Sequence, residues 1–511
     1  MMSRTENSIR NIKFAIAFQT LTILASFFTR KIFVLVLSKE YLGLDGTFSS
    51  VLTLLSLTEL GIGAAITYSL YQPLAEEDRK QIVSLMNLYK KAYRIISIVI
   101  IILGICFIPF LTRLIKDIPN IPHIYNIYLF FVLNTAVSYL YVYKQSLIIA
   151  DQKQYIVSIY HYSLKFLMYL FQAGLIWITH NYFLYLGVQL VSTIIENVMI
   201  FYLADKMYPY LKTLKPASLP LDTKKTIIKN TTAMLAHKIG SIIVNGTDNL
   251  LISYFAGIIY VGLYSNYLMI INGLTSVYQL LYKSITASIG NLGATEKNSR
   301  NVIDVFYRLN FITGWLYGFS MVCLIVLFNP FIEIWIGKEY LFPQYIVIII
   351  AVNFYVSGMR KSVLTFREAY GLYWYDRYKP MIEALLNFVL SIILANKLGI
   401  TGILVGTFIS TISVPFWVEP YVLFKYAFET SVFEYFVRYI KTTFIVIIET
   451  IFTCLCVNFL SGNAIALFLK KCLCCILIPN ILYFYIYRKS DDVKYFFELI
   501  KNQWNKIAIK K

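Results

Sequence analysis

The stretch Phe14–Leu37, FAIAFQTLTILASFFTRKIFVLVL, is apolar and long enough to cross a lipid bilayer as a helix. A helix rises about 1.5 Å per residue, and the hydrocarbon core is about 30 Å thick. Within the stretch, Gln19, Thr22, Ser26 and Arg30 recur every three to four residues and therefore share one helical face. Because hydrocarbon cannot solvate such groups, a polar face indicates a water-filled cavity enclosed by protein.

A second polar face of the same kind begins the second half of the chain, in the stretch KIGSIIVNGTD. It consists of Lys238, Ser241, Asn245 and Asp248. Adding 219 to positions 19, 22 and 26 gives positions 238, 241 and 245. Two matched polar faces in corresponding helices predict two related halves around a transport passage, so the pattern favours a transporter.

The composition is that of a polytopic membrane protein. The chain has 511 residues, of which 58% are hydrophobic and only 14% charged, and its mean hydropathy is +0.66. We predict an all-α fold with about 14 transmembrane helices, since about 20 apolar residues are needed for each crossing. The predicted spans are 14–37, 46–71, 92–112, 124–149, 155–179, 182–204, 231–256, 259–290, 304–328, 341–366, 380–397, 400–426, 437–460 and 464–487.

Short matches between the halves predict an internal repeat. Leu42-Gly43-Leu44 corresponds to Val261-Gly262-Leu263, and Gly187 corresponds to Gly406, both at a shift of 219. Matches in the same order predict two pseudo-symmetric six-helix bundles related by an axis along the membrane normal. The predicted organisation is an N-terminal bundle at 1–204, a cytoplasmic linker at 205–230, a C-terminal bundle at 231–427, and two further helices with a cytoplasmic tail at 428–511.

The basic residues predict the orientation. With the N-terminus in the cytoplasm, the inner loops hold about 35 of the 46 Lys and Arg residues and the outer loops about 7. The positive-inside rule therefore predicts that both termini are cytoplasmic. The net charge of +19 is then mainly a topology signal, and binding of nucleic acid is not expected.

No cofactor, metal site or catalytic residue is predicted. Five of the seven cysteines crowd into apolar helical sequence without His or acidic neighbours, so packing explains them better than metal binding. The sequence contains no P-loop or nucleophile elbow, and its four histidines are scattered.

We expect the polar faces to bind the transported molecule. Arg30 would contact an anionic group, phosphate being the natural partner of its planar fork, or would form a structural ion pair. Lys238, deeper toward the cytoplasm, would make the first contact with an anionic headgroup, or would only pack. The remaining predicted contacts are Gln19, Ser26, Ser241 and Asn245.

Two carboxylates are candidates for gating or ion coupling. Asp248 would lie at a depth similar to that of Arg30, so the two can pair as an outer gate, or Asp248 can bind a coupling cation or proton. Glu59 precedes small residues in the second span; it would face the cavity or be capped by a neighbouring hydroxyl group.

Three stretches resemble bacterial polysaccharide flippases, the O-antigen and capsular polysaccharide exporters of the multidrug/oligosaccharidyl-lipid/polysaccharide superfamily. The first runs from Leu42-Gly43-Leu44 through SLTELGIG to Tyr71-Gln72-Pro73-Leu74. The second is VGLYSNY, from Val261, and the third joins Leu386-Asn387 to Gly399–Thr407. The similarity covers most of the chain and is weakest after about residue 430.

The resemblance implies a flippase and not an enzyme. Such proteins move oligosaccharide linked to undecaprenyl diphosphate across the bacterial inner membrane by alternating access, with a cationic central cavity. Arg30 and Lys238 fit that cavity. The implied partners are the lipid-linked oligosaccharide, membrane lipids, and the polysaccharide polymerase and chain-length proteins.

Two other functions remain open. A cation-coupled multidrug antiporter of the same superfamily would centre on carboxylates, whereas the two polar faces hold two cations and one acid. A membrane polysaccharide polymerase or ligase would be an enzyme with a sizeable outer loop, but the predicted outer loops are short.

Overall fold

A computed structural model of the chain describes residues 4–59, 62–116, 121–219, 239–240, 242–243, 246–295 and 299–494. These residues form helices joined by short turns, and no strand occurs among them. The helices of the first half are α1 (Arg4–Val36), α2 (Lys39–Leu55), α3 (Ile62–Ala75), α4 (Arg79–Leu114), α5 (Ile124–Leu140), α6 (Val142–Ala150), α7 (Gln154–Thr179), α8 (Tyr182–Met207) and α9 (Tyr210–Thr213). Those that follow are α10 (Asp248–Phe255), α11 (Ile258–Thr295), α12 (Ser299–Ile336), α13 (Gln344–Met359), α14 (Lys361–Ala369), α15 (Lys379–Leu398), α16 (Ile400–Ser413), α17 (Pro415–Leu423), α18 (Phe433–Asn458) and α19 (Ala464–Tyr487).

The chain is a multi-pass membrane protein, as its composition predicts. In the part that the structure describes, 10 helices are long and apolar enough to cross a membrane, and 11 if α5 and α6 are counted as one span bent by 44°. The predicted all-α polytopic fold is confirmed. The predicted span 464–487 coincides with α19.

The predicted second span, 46–71, is not one continuous helix. α2 ends at Leu55, a 3₁₀ turn follows at Ser56–Glu59, and α3 begins at Ile62. Hydropathy does not reveal this interruption, because the residues on both sides of the turn are apolar. The interruption places Glu59 at a break in the helix, where backbone groups and side chains can take part in non-helical contacts.

The structure divides into two compact units, residues 1–265 and 266–511. In unit 1, the core joins α3, α4, α6 and α8 around Tyr89 and Tyr93, which are stacked with their ring centroids 5.9 Å apart. In unit 2, the buried ring of Phe306 meets the rings of Phe366 and Phe424 edge-on, at centroid distances of 5.3 and 5.4 Å. Aromatic side chains therefore provide much of the packing in both units.

The crowded cysteines belong to the packing of unit 2. Cys475 of α19 is fully buried against Val326 of α12 and Val457 of α18. Cys323 and Cys454 pack against the same cluster. No group of three or more His, Cys, Asp or Glu with metal-binding geometry occurs among the described residues.

Gly43 and Gly262, the glycines of the matched triplets, allow α2 and the start of α11 to touch within unit 1. A Cβ atom on Gly43 would lie 2.1 Å from the carbonyl oxygen of Ile258, and one on Gly262 would lie 2.7 Å from that of Lys39. Both distances are too short for a real carbon atom. The repeat thus places a glycine at the same position in two helices that cross backbone to backbone.

We predict that Gly43→Ala destabilises the protein by about 1–3 kcal/mol, because the added methyl group meets backbone that cannot move aside easily. The measurement is thermal unfolding of the purified protein in detergent. The matched control is Gly187→Ala in α8, where a Cβ atom meets nothing within 4 Å. There the higher helix propensity of alanine should leave stability unchanged or raise it by up to about 1 kcal/mol. Equal melting temperatures for the two variants would contradict the backbone crossing.

Candidate functional site

Arg30 lies near the end of α1 in unit 1 and is half-buried. It interacts electrostatically with Asp45 of α2 and with three tyrosines, Tyr169 of α7 and Tyr182 and Tyr185 of α8. Among the described residues, the guanidinium group thus has the carboxylate of Asp45 and several aromatic side chains in its surroundings. Both kinds of neighbour stabilise a cation that has been removed from bulk water.

The rings beside Arg30 form an ordered aromatic wall. Tyr182 stacks on Tyr185 at a centroid distance of 5.8 Å, and Tyr41 meets Tyr182 edge-on at 5.0 Å. Phe33 meets both rings of α8 edge-on, at 5.8 and 5.2 Å. Phe33 and Tyr182 are buried within this cluster, whereas Tyr41 and Tyr185 are partly exposed, so the latter two rings can contact a ligand that is partly apolar and partly polar.

Part of the polar face of α1 is used for packing against α7. The hydroxyl oxygen of Thr22 lies 3.0 Å from the carbonyl oxygen of Tyr162, and that of Thr29 lies 2.8 Å from the carbonyl oxygen of Tyr169. Ser26 donates to the carbonyl of Ile23, within its own helix. Thr22 and Ser26 of the predicted polar face therefore already have hydrogen-bond partners within unit 1.

Gln19 lies at the cytoplasmic end of the same face in the predicted orientation. Its exposed fraction is 8%, and its amide oxygen has no hydrogen-bond partner in the described part of the chain. A buried amide oxygen without a partner costs free energy, so this position suits a polar ligand or a water molecule.

The second predicted face falls largely outside the described residues, which do not include Lys238, Ser241 or Asn245. Asp248, the first residue of α10, interacts electrostatically with Tyr264 of α11. The sequence did not single out Asp45, a carboxylate that interacts electrostatically with Arg30. Asp45 lies just before the predicted second span, so hydropathy assigned it to a loop.

Glu59 lies in the 3₁₀ turn between α2 and α3. The hydroxyl group of Tyr93 donates a hydrogen bond to its carboxylate, with 3.1 Å between the oxygens. Gly63 makes room for this contact, since a Cβ atom there would lie 2.4 Å from the same hydroxyl oxygen. Glu59 thus has the hydroxyl neighbour that one of the two sequence interpretations expected.

Unit 2 contains a buried ionic cluster that the sequence did not single out. Arg360, between α13 and α14, donates from Nε and Nη2 to the two carboxylate oxygens of Glu419 of α17, at distances of 2.9 and 2.7 Å. Lys379 of α15 contacts the same carboxylate. Glu383 lies 3.6 Å from Arg360. Arg367 and Asp376 form a further pair close to Lys379.

This cluster is balanced, with three cations and three carboxylates. Glu419 has an exposed fraction of 0%, and the cluster ties α13 and α14 to α15 and α17. Because each charge has an opposite charge beside it, the arrangement suits structural cohesion better than ligand binding. Members of the cluster are up to 59 positions apart, so no local pattern in the sequence could have indicated it.

The structure is similar to solved structures of membrane transporters. One is the lipid II flippase MurJ in an inward closed conformation, with a TM-score of 0.67 and 17% identity, covering 93% of this chain and 99% of the flippase. Another is a mutant of the Vibrio cholerae MATE transporter VcmN, with a TM-score of 0.55 and 11% identity, covering 83% of this chain and 99% of the transporter. The bent form of VcmN gives a TM-score of 0.53 and 11% identity over 82% and 97%. No protein-family model and no curated protein matches the sequence. The chain therefore has the fold of these proteins.

We predict that Glu419→Gln destabilises unit 2 by about 3–5 kcal/mol, because it leaves the buried Arg360 and Lys379 without their shared carboxylate. The measurement is again thermal unfolding in detergent. The matched control is Glu434→Gln, which removes the same charge from an exposed pair with Arg438. Exposed pairs of this kind contribute at most about 1 kcal/mol. If the melting temperature of Glu419→Gln is as high as that of the control, the ionic cluster does not stabilise the packing of these helices.

Proposed function

We propose that this protein is a flippase for an oligosaccharide linked to undecaprenyl diphosphate. The lipid-linked oligosaccharide would pass from the cytoplasmic to the periplasmic leaflet of the bacterial inner membrane, for assembly into O-antigen, capsule or exopolysaccharide. The proposal rests on one observation above the others: Arg30, half-buried beside an aromatic wall, in a fold similar to that of a lipid II flippase. Arginine is the side chain best suited to bind a diphosphate, because its planar guanidinium group can donate two parallel hydrogen bonds to phosphate oxygens.

The aromatic wall supports a glycolipid as the ligand. A lipid-linked oligosaccharide combines charged phosphates with sugars, which present both hydroxyl groups and apolar faces. Tyr185, which lies near Arg30, and Tyr41 are both partly exposed. Such rings can stack on sugars and accept or donate hydrogen bonds.

The membrane potential favours the proposed direction. Moving one charge across 100 mV changes the free energy by about 2.3 kcal/mol. With the cytoplasmic side negative, outward movement of a diphosphate with about two negative charges is favoured by a free energy of roughly 4–5 kcal/mol. The proposed orientation, with both termini in the cytoplasm, follows from the Lys and Arg distribution. The polymerase and chain-length proteins would act on the unit after it has crossed.

A cation-coupled drug antiporter is the second candidate, because the fold is also similar to that of MATE transporters. Such a protein must bind a cation reversibly at a carboxylate. Asp45 has Arg30 as an electrostatic neighbour, and Glu59 accepts a hydrogen bond from Tyr93. A permanent cation beside a carboxylate weakens the binding of a second cation, so the surroundings of Arg30 favour the flippase.

We predict that Arg30→Gln lowers the surface display of the polysaccharide by about tenfold or more, because a charge-assisted hydrogen bond contributes about 1.5–3 kcal/mol. Lys238→Ala should have a similar effect. The measurement is glycan display in cells that lack the chromosomal copy, together with the amount of lipid-linked precursor, which should accumulate on the cytoplasmic side.

Lys31→Gln is the matched control, since it removes an adjacent charge that is exposed on another face of α1. It should leave display near the wild-type level. Normal display in Arg30→Gln, at an unchanged amount of protein, would overturn the assignment of Arg30. Loss of drug resistance with normal display in the deletion strain would favour the antiporter.

A further inference from the structure

A second cationic site lies in unit 1, at the ends of α4, α6 and α8. It is a cavity of about 240 Å³, closed on one side by the segment that contains and follows α9. Three ammonium groups line it, those of Lys90, Lys144 and Lys212. Asp205 is the one acid among the described lining residues.

Asp205 serves two of the three cations. The ammonium group of Lys144 contacts the carboxylate, and that of Lys212 lies 3.2 Å from its other oxygen. Lys144 also lies over the ring of Phe201, 3.2 Å from the centroid. The exposed fractions of the Lys144 and Asp205 side chains are 7% and 4%. This buried pair joins α6 to α8 and accounts for the structural part of the cluster.

Lys90 and Lys212 are not needed for that connection. Lys212 is 63% exposed, and Lys90 is half-buried on α4, near enough to repel Lys144 electrostatically. Three cations around one acid leave a surplus of two positive charges in the described lining. Like charges held together cost free energy, and an anion between them would remove that cost.

We propose that this cavity binds the phosphate group of an anionic phospholipid. A phosphate presents several oxygens to several ammonium donors at once, as these lysines require. The volume corresponds to about eight water molecules, at roughly 30 Å³ each, which is enough for a phosphate and its nearest atoms.

The position and the rest of the lining favour a lipid headgroup over a soluble ion. Lys90, Asp205 and Lys212 fall just outside the predicted spans 92–112 and 182–204, on the side predicted to be cytoplasmic, where anionic lipids collect. Val83, Met86 and Leu211 form an apolar wall beside the cations. Such a wall suits the glycerol and the first acyl carbons of a lipid. Free phosphate carries the same charged group and is the alternative source.

The test is lipid binding by the purified full-length protein in detergent, measured as thermal stabilisation and as lipid retained in native mass spectrometry. The probes are phosphatidylglycerol, phosphatidylcholine and inorganic phosphate at matched ionic strength. The variant is Lys90→Gln with Lys212→Gln, which leaves the Lys144–Asp205 pair intact. Lys80→Gln with Lys153→Gln removes the same charge outside the cavity and is the matched control.

We expect phosphatidylglycerol to stabilise the wild type and the control far more than phosphatidylcholine does. Its apparent affinity should fall about tenfold or more in the cavity variant, as expected for two lost lysine contacts. Stabilisation by inorganic phosphate as well, with the same dependence on the two lysines, would assign the site to free phosphate. Equal losses in the variant and the control, or no preference for phosphatidylglycerol in the wild type, would overturn the proposal.

Discussion

A charged side chain that is buried among the helices of a membrane protein needs a partner within the protein, because its apolar surroundings offer none. The described part of the chain meets this constraint in several ways. Lys144 is held by Asp205 and an aromatic ring, and Arg360 by two glutamates. His161 of α7 is 2.8 Å from Glu196 of α8. These contacts connect helices that the loops alone would not hold together, so the polar groups help to determine the packing.

The interruptions of the helices coincide with these polar groups. α5 and α6 meet at Tyr141, three residues before Lys144, and α13 and α14 meet at Arg360. Positions 141 and 360 are 219 apart, the shift that relates the two polar faces and the two glycine triplets. The internal repeat of 219 residues therefore includes the positions where helices break, in addition to the polar faces and the glycine triplets. Such breaks are tolerated in a membrane only where protein or water satisfies the freed backbone groups, so they are natural places for buried polar clusters.

The sequence predicts the fold well and the site only in part. Hydropathy locates helices such as α19, because the cost of exposing polar backbone to lipid acts residue by residue. It does not locate the break at Ser56–Glu59, where apolar residues continue on both sides. The electrostatic contact of Arg30 with Asp45 and the ion pair of Arg360 with Glu419 depend on which helices pack together. That information is not present in any single stretch of sequence.

The difference between the two arginines bears on transport. Nε and Nη2 of Arg360 both donate to a fully buried carboxylate, so an incoming anion would have to displace a partner that cannot reach water. Arg30 is half-buried and, among the described residues, has the carboxylate of Asp45 as an electrostatic neighbour. Transport requires binding that is reversible as well as selective. A diphosphate held by a guanidinium group with no competing acid nearby would bind tightly and leave slowly. In the proposed flippase, we infer that the negative charge of Asp45 moderates the affinity of Arg30 for phosphate. The same carboxylate offsets part of the charge of the guanidinium group when the site is empty, which lowers the cost of keeping an arginine within the membrane.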